Sequence, residues 1–310
     1  MDALKNYGDA GKLSPMKKRL PNREIRFLIL TLLVSLFSAI STSGSDEPSS
    51  PFQSLTHRLS QDGFDSEFLS NLLMDARTEL NSSLMIIPWE SRETADLYAQ
   101  FLTQEAILLS IKFLRQNLKI LKKAETKFSV EKEVIVAILL VESRFGENIG
   151  KYRLIPTLAS IALMDSPDQL QRNYLALREM DPDLSYEWIE SLAKRKANWA
   201  YHELKCFLNI IRYEKIDPLE VYGSYAGALG MAQFIPSSYL SYALHQKSFE
   251  NWLLCEEAAI FSIGNYLKSH GWRKGLPIEK KKQILWYYNR SKPYGETILQ
   301  LAQKIKHHDR

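Results

Sequence analysis

The feature that most constrains this chain is an unbroken apolar run over residues 134–141 (VIVAILLV) that stops at Glu142-Ser143-Arg144-Phe145-Gly146. A stretch apolar on every side has no face for water, so a helix here is expected to be buried. The same run sets an ionisable carboxyl where that helix should end. Replacing water around Glu142 by Val, Ile and Leu disfavours its charged form. The partial negative charge of a helix C-terminus pushes the same way, so the pKa is expected to rise into the range that suits a general acid. The plain alternative is a solvated helix-end residue, and other segments have to decide between the two.

The rest of the chain is expected to be helical nearly throughout. Apolar residues recur at a 3.6-like spacing over 52–59, 66–80, 91–127, 130–144, 154–163, 186–213, 256–270 and 297–306, and no convincing alternating strand occurs. Glycine and proline punctuate these segments: Gly146 and Gly150 follow the Glu142 helix, Pro156 opens the next one, and Gly271 ends another after His270. Ser129 is expected as N-cap of the Glu142 helix, with Glu131 and Glu133 in its first turn.

At the N-terminus, Lys17, Lys18, Arg19, Arg23 and Arg26 precede an apolar run over 27–40, after which small and polar residues take over. This is the layout of a secretory signal peptide, and Met16 is better placed than Met1 to start it. The run is short for a membrane span, although an uncleaved inner-membrane anchor would use the same residues. With no Cys near its end, a lipoprotein anchor is not expected. Residues 1–45 are thus read as a signal or anchor with a flexible tether, and 46–310 as one domain exported to the periplasm or cell envelope.

The chain has 310 residues, 45% hydrophobic and 25% charged, and a net charge of +4. That excess is compatible with an acidic polymer as partner but too weak to argue for nucleic acid, and no nucleic-acid motif occurs. Cys206 and Cys255 would be free to pair in an oxidising compartment, although Cys206 lies in an apolar pattern that suits a small buried side chain. No histidines stand at metal-ligand spacing with a carboxylate, and no metal or cofactor is expected.

Two further segments bear on Glu142. Residues 223–239 read GSYAGALGMAQFIPSSY, a glycine- and alanine-rich stretch that lets backbone approach a ligand and carries Ser224, Tyr225 and Gln233. It is no phosphate loop, since the Lys and Ser/Thr after the last glycine are missing. Residues 286–294 read WYYNRSKPY, and aromatic faces beside an amide suit sugars, although such rings equally well close a core.

VESRFG, GSYAGALGMAQFIPSSY and YYNRSKPY, in this order, resemble the motifs of bacterial lytic murein transglycosylases of the membrane-bound lytic transglycosylase B type. Weaker matches extend the resemblance from about residue 52 to the C-terminus. The resemblance implies an all-α, lysozyme-like fold with an additional N-terminal helical region. It also implies cleavage of the β-1,4 bond between MurNAc and GlcNAc of peptidoglycan strands without water, leaving 1,6-anhydro-MurNAc ends. Glu142 would act first as acid and then as base; Ser224 would hydrogen bond near it, and Gln233 would contact an acetamido group or a neighbouring sugar. Tyr266, Tyr288, Asn289 and Tyr294 match family cleft positions. Arg195, Lys196 and Trp199 stand where the family has an arginine pair and an aromatic, and a basic pair there would meet acidic peptide stems; Lys196 is the weaker match, because an ammonium cannot replace a guanidinium fork. The chain departs from the family in extra residues at about 165–193, which would form a lid, a surface for cell-wall protein partners or an extra helical hairpin. It departs again at LHQKSFENWLL (244–254), which lacks the spaced acidic ligands of a calcium loop. A hydrolytic muramidase using the same glutamate and a noncatalytic peptidoglycan-binding scaffold are the rival readings.

Overall fold

Why the apolar run becomes a helix with no wet face is visible in its neighbours. A computed structural model describes residues 51–86, 93–244 and 248–308. In chain order its helices are α1 (Gln53–Gln61), α2 (Ser66–Leu73), α3 (Ala95–Tyr98), α4 (Gln104–Gln116), α5 (Leu118–Phe128), α6 (Lys132–Ser143), α7 (Leu154–Ala162), α8 (Pro167–Met180), α9 (Tyr186–Ile211), α10 (Pro236–Tyr242), α11 (Phe249–Leu254), α12 (Glu256–Ser269), α13 (Ile278–Tyr288) and α14 (Lys292–His308). Central to them is α6, on which α4, α5, α12 and α14 all pack. From Val134 to Leu140 none of its side chains is more than 3% exposed. Burying each large apolar side chain stabilises by about 1.5–3 kcal/mol, so the helices around α6 are held by the residues that also enclose Glu142. These elements lie within one compact unit, Ser49–Arg310.

Strand β1 (Tyr152–Arg153) pairs antiparallel with β2 (Tyr222–Gly223), Tyr152 opposite Gly223. Two residues per strand are too few to show an alternating pattern, so the sequence does not announce them. Their effect is to draw the segment after α6 against the start of the glycine-rich segment.

Several boundaries differ from the sequence reading. Ser129 is not the N-cap of α6: its N–H is bonded to Glu125 as the end of α5 and its φ is +56°, whereas Glu131 caps α6. The continuous helix expected over 91–127 is three helices. Thr103 interrupts it by accepting the Ala106 N–H at 3.3 Å, and Asn117 interrupts it again with ψ +15°. The helix from 66 stops at Leu73, where the Asp75 side chain takes the Arg77 N–H instead. Conversely α14 starts five residues before the expected 297, because the Ser291 hydroxyl accepts the Tyr294 N–H.

Residues 165–193 form α8 and the first turns of α9. The Gln169 and Asn173 amides of α8 both donate to the Met85 carbonyl, and Tyr174 meets Tyr186 edge-on at 5.3 Å, so this hairpin is fastened at its base. Residues 249–254 of the segment compared with a calcium loop are α11. Cys206 and Cys255 are unpaired. The N-terminal apolar run lies outside the described residues, and among those no helix is long and apolar enough to cross a membrane.

Candidate active site

At its C-terminus α6 reverses through two residues with left-handed φ, Arg144 at +49° and Phe145 at +62°, followed by Gly146 at +94°. The Phe145 N–H reaches back to the Leu139 carbonyl at 3.1 Å, closing the helix end, while its ring stacks on Phe113 at 4.2 Å. Ser143 fixes the turn to the glycine-rich segment: its buried hydroxyl donates to the Met231 carbonyl at 2.8 Å and accepts the Gly146 N–H at 3.0 Å. Each position of the ESRFG motif thus has a geometric task beside that of the carboxyl.

The other two motifs converge on the same place. Tyr294, 1% exposed on α14, donates its hydroxyl to Glu142 Oε1 at 2.6 Å. Tyr288, at the end of α13, donates to the Ala232 carbonyl at 2.6 Å, and its ring stacks on Tyr294 at 6.3 Å. Three segments separated by scores of residues therefore share one set of contacts, with Glu142 at the centre. The second oxygen, Oε2, has no partner among the described residues, yet no side-chain polar atom there is both buried and unpartnered. Oε2 must therefore reach open space, which agrees with the partial exposure of the residue. Burial, opposed by the Tyr294 hydrogen bond and assisted by the negative charge of Glu93, pushes the Glu142 carboxyl up to about 7. Burial is the leading cause, as the apolar run implies.

The remaining expected residues divide by geometry. Gln233, at φ +47°, donates its Nε2 to Gly230 O at 2.9 Å and to Ile149 O at 3.2 Å. Both amide hydrogens are then used, and its carbonyl oxygen is the group left for a ligand. The Ser224 oxygen accepts the Ala226 and Ala228 N–H groups and shapes the glycine-rich turn; no bond from its O–H to Glu142 occurs among the described residues, and that O–H remains a donor for a ligand. Asn289 makes no side-chain hydrogen bond among the described residues. Tyr266 is 6% exposed, donates to the Tyr287 carbonyl at 2.6 Å and packs edge-on against Tyr288, ring centroids 4.9 Å apart. Arg195, Lys196 and Trp199 lie on α9, which packs on α7 and α10; Arg195 donates to Ser191, and the half-buried Lys196 has no carboxylate partner among the described residues. None of the three bonds to a motif residue. The link from α9 to the site is instead Glu203, whose buried carboxylate takes the N–H and hydroxyl of Ser237, each at 2.8 Å, at the start of α10.

Glu203, Tyr98, Glu93 and Ser291 escape the sequence reading. Tyr98 and Glu93 fall at the start of the segment read as one long helix, and a contact between distant segments, such as that of Tyr98 with Tyr294, leaves no trace in a single sequence. Among the described residues no group of three or more His, Cys, Asp or Glu could hold a metal ion.

Over residues 48–284 the chain matches the transglycosylase SLT domain family. It is 30% identical over 236 residues to the membrane-bound lytic murein transglycosylase B of Escherichia coli K12, covering 72% of this chain and 57% of that protein; the chain thus spans little more than half of that relative's length. In structure it is similar to the soluble lytic transglycosylase SltB1 of Pseudomonas aeruginosa, with a TM-score of 0.64 at 24% identity, over 82% of this chain and 98% of that one. It is also similar to SltB3 of the same organism, solved in complex with NAG-anhNAM-pentapeptide, with a TM-score of 0.63 at 18% identity, over 84% of this chain and 80% of that one. The helical architecture is that of these solved structures, and with its three motifs joined around the Glu142 carboxyl the chain belongs to the transglycosylase SLT domain family.

Proposed function

We propose that this protein is a peptidoglycan lytic transglycosylase that cleaves the β-1,4 bond between MurNAc and GlcNAc without water and leaves 1,6-anhydro-MurNAc ends. The observation that carries the reading is a single motif carboxyl, pushed up to about 7, with one oxygen held by Tyr294 and the other without a partner among the described residues. Near neutral pH such a group is present in both protonation states, as one residue serving as acid and then base requires. Glu142 delivers its proton to the glycosidic oxygen as the C1–O bond breaks. The substrate's own N-acetyl carbonyl supports C1, and Glu142 then takes the proton from the C6 hydroxyl, whose oxygen closes on C1. Proton count is conserved and no water is consumed.

The Gln233 carbonyl and the Asn289 amide are the free polar groups for hydroxyl and acetamido donors and acceptors, with Ser224 shaping the turn between them. Tyr288 and Tyr294 supply the aromatic wall, with Tyr266 supporting them from behind. Arg195, Lys196 and Trp199 would meet the peptide stems from α9, where the unpaired Lys196 is the available cation. Export to the cell envelope, with residues 1–45 as signal or tether, fits the substrate.

Digestion of purified sacculi followed by mass spectrometry of the muropeptides tests the assignment. Anhydro-MurNAc products are expected; reducing MurNAc ends alone would make the protein a hydrolytic muramidase, and no release at all would leave a binding scaffold. Tyr294→Phe is expected to remove a donor that favours the charged carboxylate, slowing turnover by roughly tenfold and moving the alkaline limb of the pH profile upward. Initial rates between pH 5 and 9 check both effects.

A further inference from the structure

The sequence motifs contain one carboxylate, yet the folded chain brings a second one to it. Glu93 stands just ahead of α3, exposed, and accepts the hydroxyl of Tyr98. Tyr98 is 7% exposed and meets Tyr294 edge-on, ring centroids 6.1 Å apart, and Tyr294 in turn holds Glu142 Oε1. Ser291, which accepts the Tyr294 N–H, stands beside the same Tyr98 oxygen. Four side chains from three parts of the sequence thus link the two carboxyls through two phenols. Since Tyr98 is fixed by burial on one side and by Tyr294 and Ser291 on the other, the hydroxyl it offers fixes where Glu93 sits.

The other groups facing Glu142 bear little charge. Tyr294 of α14, Tyr288 of α13, Tyr266 of α12 and Tyr98 of α3 all interact with it electrostatically, and all four phenols are held neutral by burial. Arg144, next in sequence but one, is turned to Glu147, and Arg290 acts on Tyr266. Among the described residues Glu93 is therefore the charged side chain that acts on the Glu142 carboxyl, and it disfavours the loss of its proton.

We infer that Glu93 is a second functional carboxylate of this cleft, a positioning residue held beside Glu142 through Tyr98, which keeps Glu142 supplied with its proton and faces the positive charge that builds on the sugar ring as the glycosidic bond breaks. The part of this inference that concerns the sugar rests on the transglycosylase reading; the part that concerns the proton does not. With the same charge present in the second half of the reaction, Glu142 is also a stronger base toward the C6 hydroxyl.

Glu93→Gln separates this role from a purely structural one, because the Gln carbonyl still accepts the Tyr98 hydroxyl while the charge is gone. In protein carrying a 13C label at the glutamate carboxyls, the Glu142 resonance, assigned by its loss in Glu142→Gln, is titrated in both forms without substrate. The midpoint is expected to fall by roughly half a pH unit or more in Glu93→Gln. On sacculi, kcat is expected to drop about tenfold, with the alkaline limb moving to lower pH and KM little changed. An unchanged midpoint overturns the inference and leaves Glu93 as a tether for Tyr98. Absence of cleavage by the unaltered protein would instead overturn the transglycosylase reading, with the titration still deciding for or against Glu93.

Discussion

Glu142→Gln is expected to abolish lysis of sacculi, lowering the rate by at least about 10³-fold, because one residue serves both proton transfers and each is worth roughly 10² or more. The same change is expected to make the folded protein more stable at alkaline pH. In the fold the carboxyl titrates at about 7, against an ordinary 4.5, so the native state holds its proton more tightly than the unfolded chain does. Below about pH 4.5 both states carry the proton and the site costs nothing. Stability is then lost as pH rises from about 4.5 through 7 and stays lower above that, where the buried group is ionised in both states. Gln cannot ionise, and its carbonyl still accepts the Tyr294 hydroxyl. The shift corresponds to about 3 kcal/mol at most, and since Oε2 reaches solvent a gain of order 2 kcal/mol is the reasonable expectation at pH 8.5. Thermal unfolding of both proteins at pH 4 and 8.5 checks it: equal stabilities at pH 8.5 would mean that the carboxyl is not held in an apolar setting.

The second large effect is expected at Gly150. Its φ is +99°, and a Cβ there would lie 2.0 Å from the carbonyl carbon and oxygen of Gly223 and 2.4 Å from the Ser224 nitrogen. These are backbone atoms of β2 and of the glycine-rich turn, so no rotamer change relieves them. Gly150→Ala must part β1 from β2 and carry the turn away from Glu142, at a cost of at least about 3 kcal/mol together with most of the activity. Gly271 is the control. Its φ is +90° but nothing lies within 4 Å of an added Cβ, so Gly271→Ala is expected to cost only about 1 kcal/mol, the conformational part alone. Urea unfolding of the two variants separates crowding from conformation, and equal losses would discount the close approach of Gly150 to Gly223.

What a single sequence could tell divides along the range of the interactions. The all-helical architecture was legible because apolar spacing is local, and the Glu142 helix because a continuous apolar run admits little else. The raised carboxyl followed from the same run. Helix ends were read less well where a side chain competes for the backbone: Thr103, Asp75 and Ser291 each stop or start a helix through one hydrogen bond that periodicity does not register. The parts of the site that depend on distant partners were not legible at all. The Ser224 oxygen accepts two N–H groups of its own turn and Tyr266 donates to the Tyr287 carbonyl, contacts that no motif spells out. Glu93 and Tyr98 carry no motif, and only the folded chain brings them to Glu142.

The bond between Tyr294 and Glu142 joins residues 152 apart in sequence, one on α6 and the other on α14. During synthesis α6 is complete long before α14 has been made, and until α14 docks the acid has neither the phenol that aims it nor the wall that dries it. A chain made only as far as α13 therefore carries the full ESRFG motif without the phenol that holds its carboxyl. On the proposed function, chain order alone would then keep the acid unassembled until α14 docks.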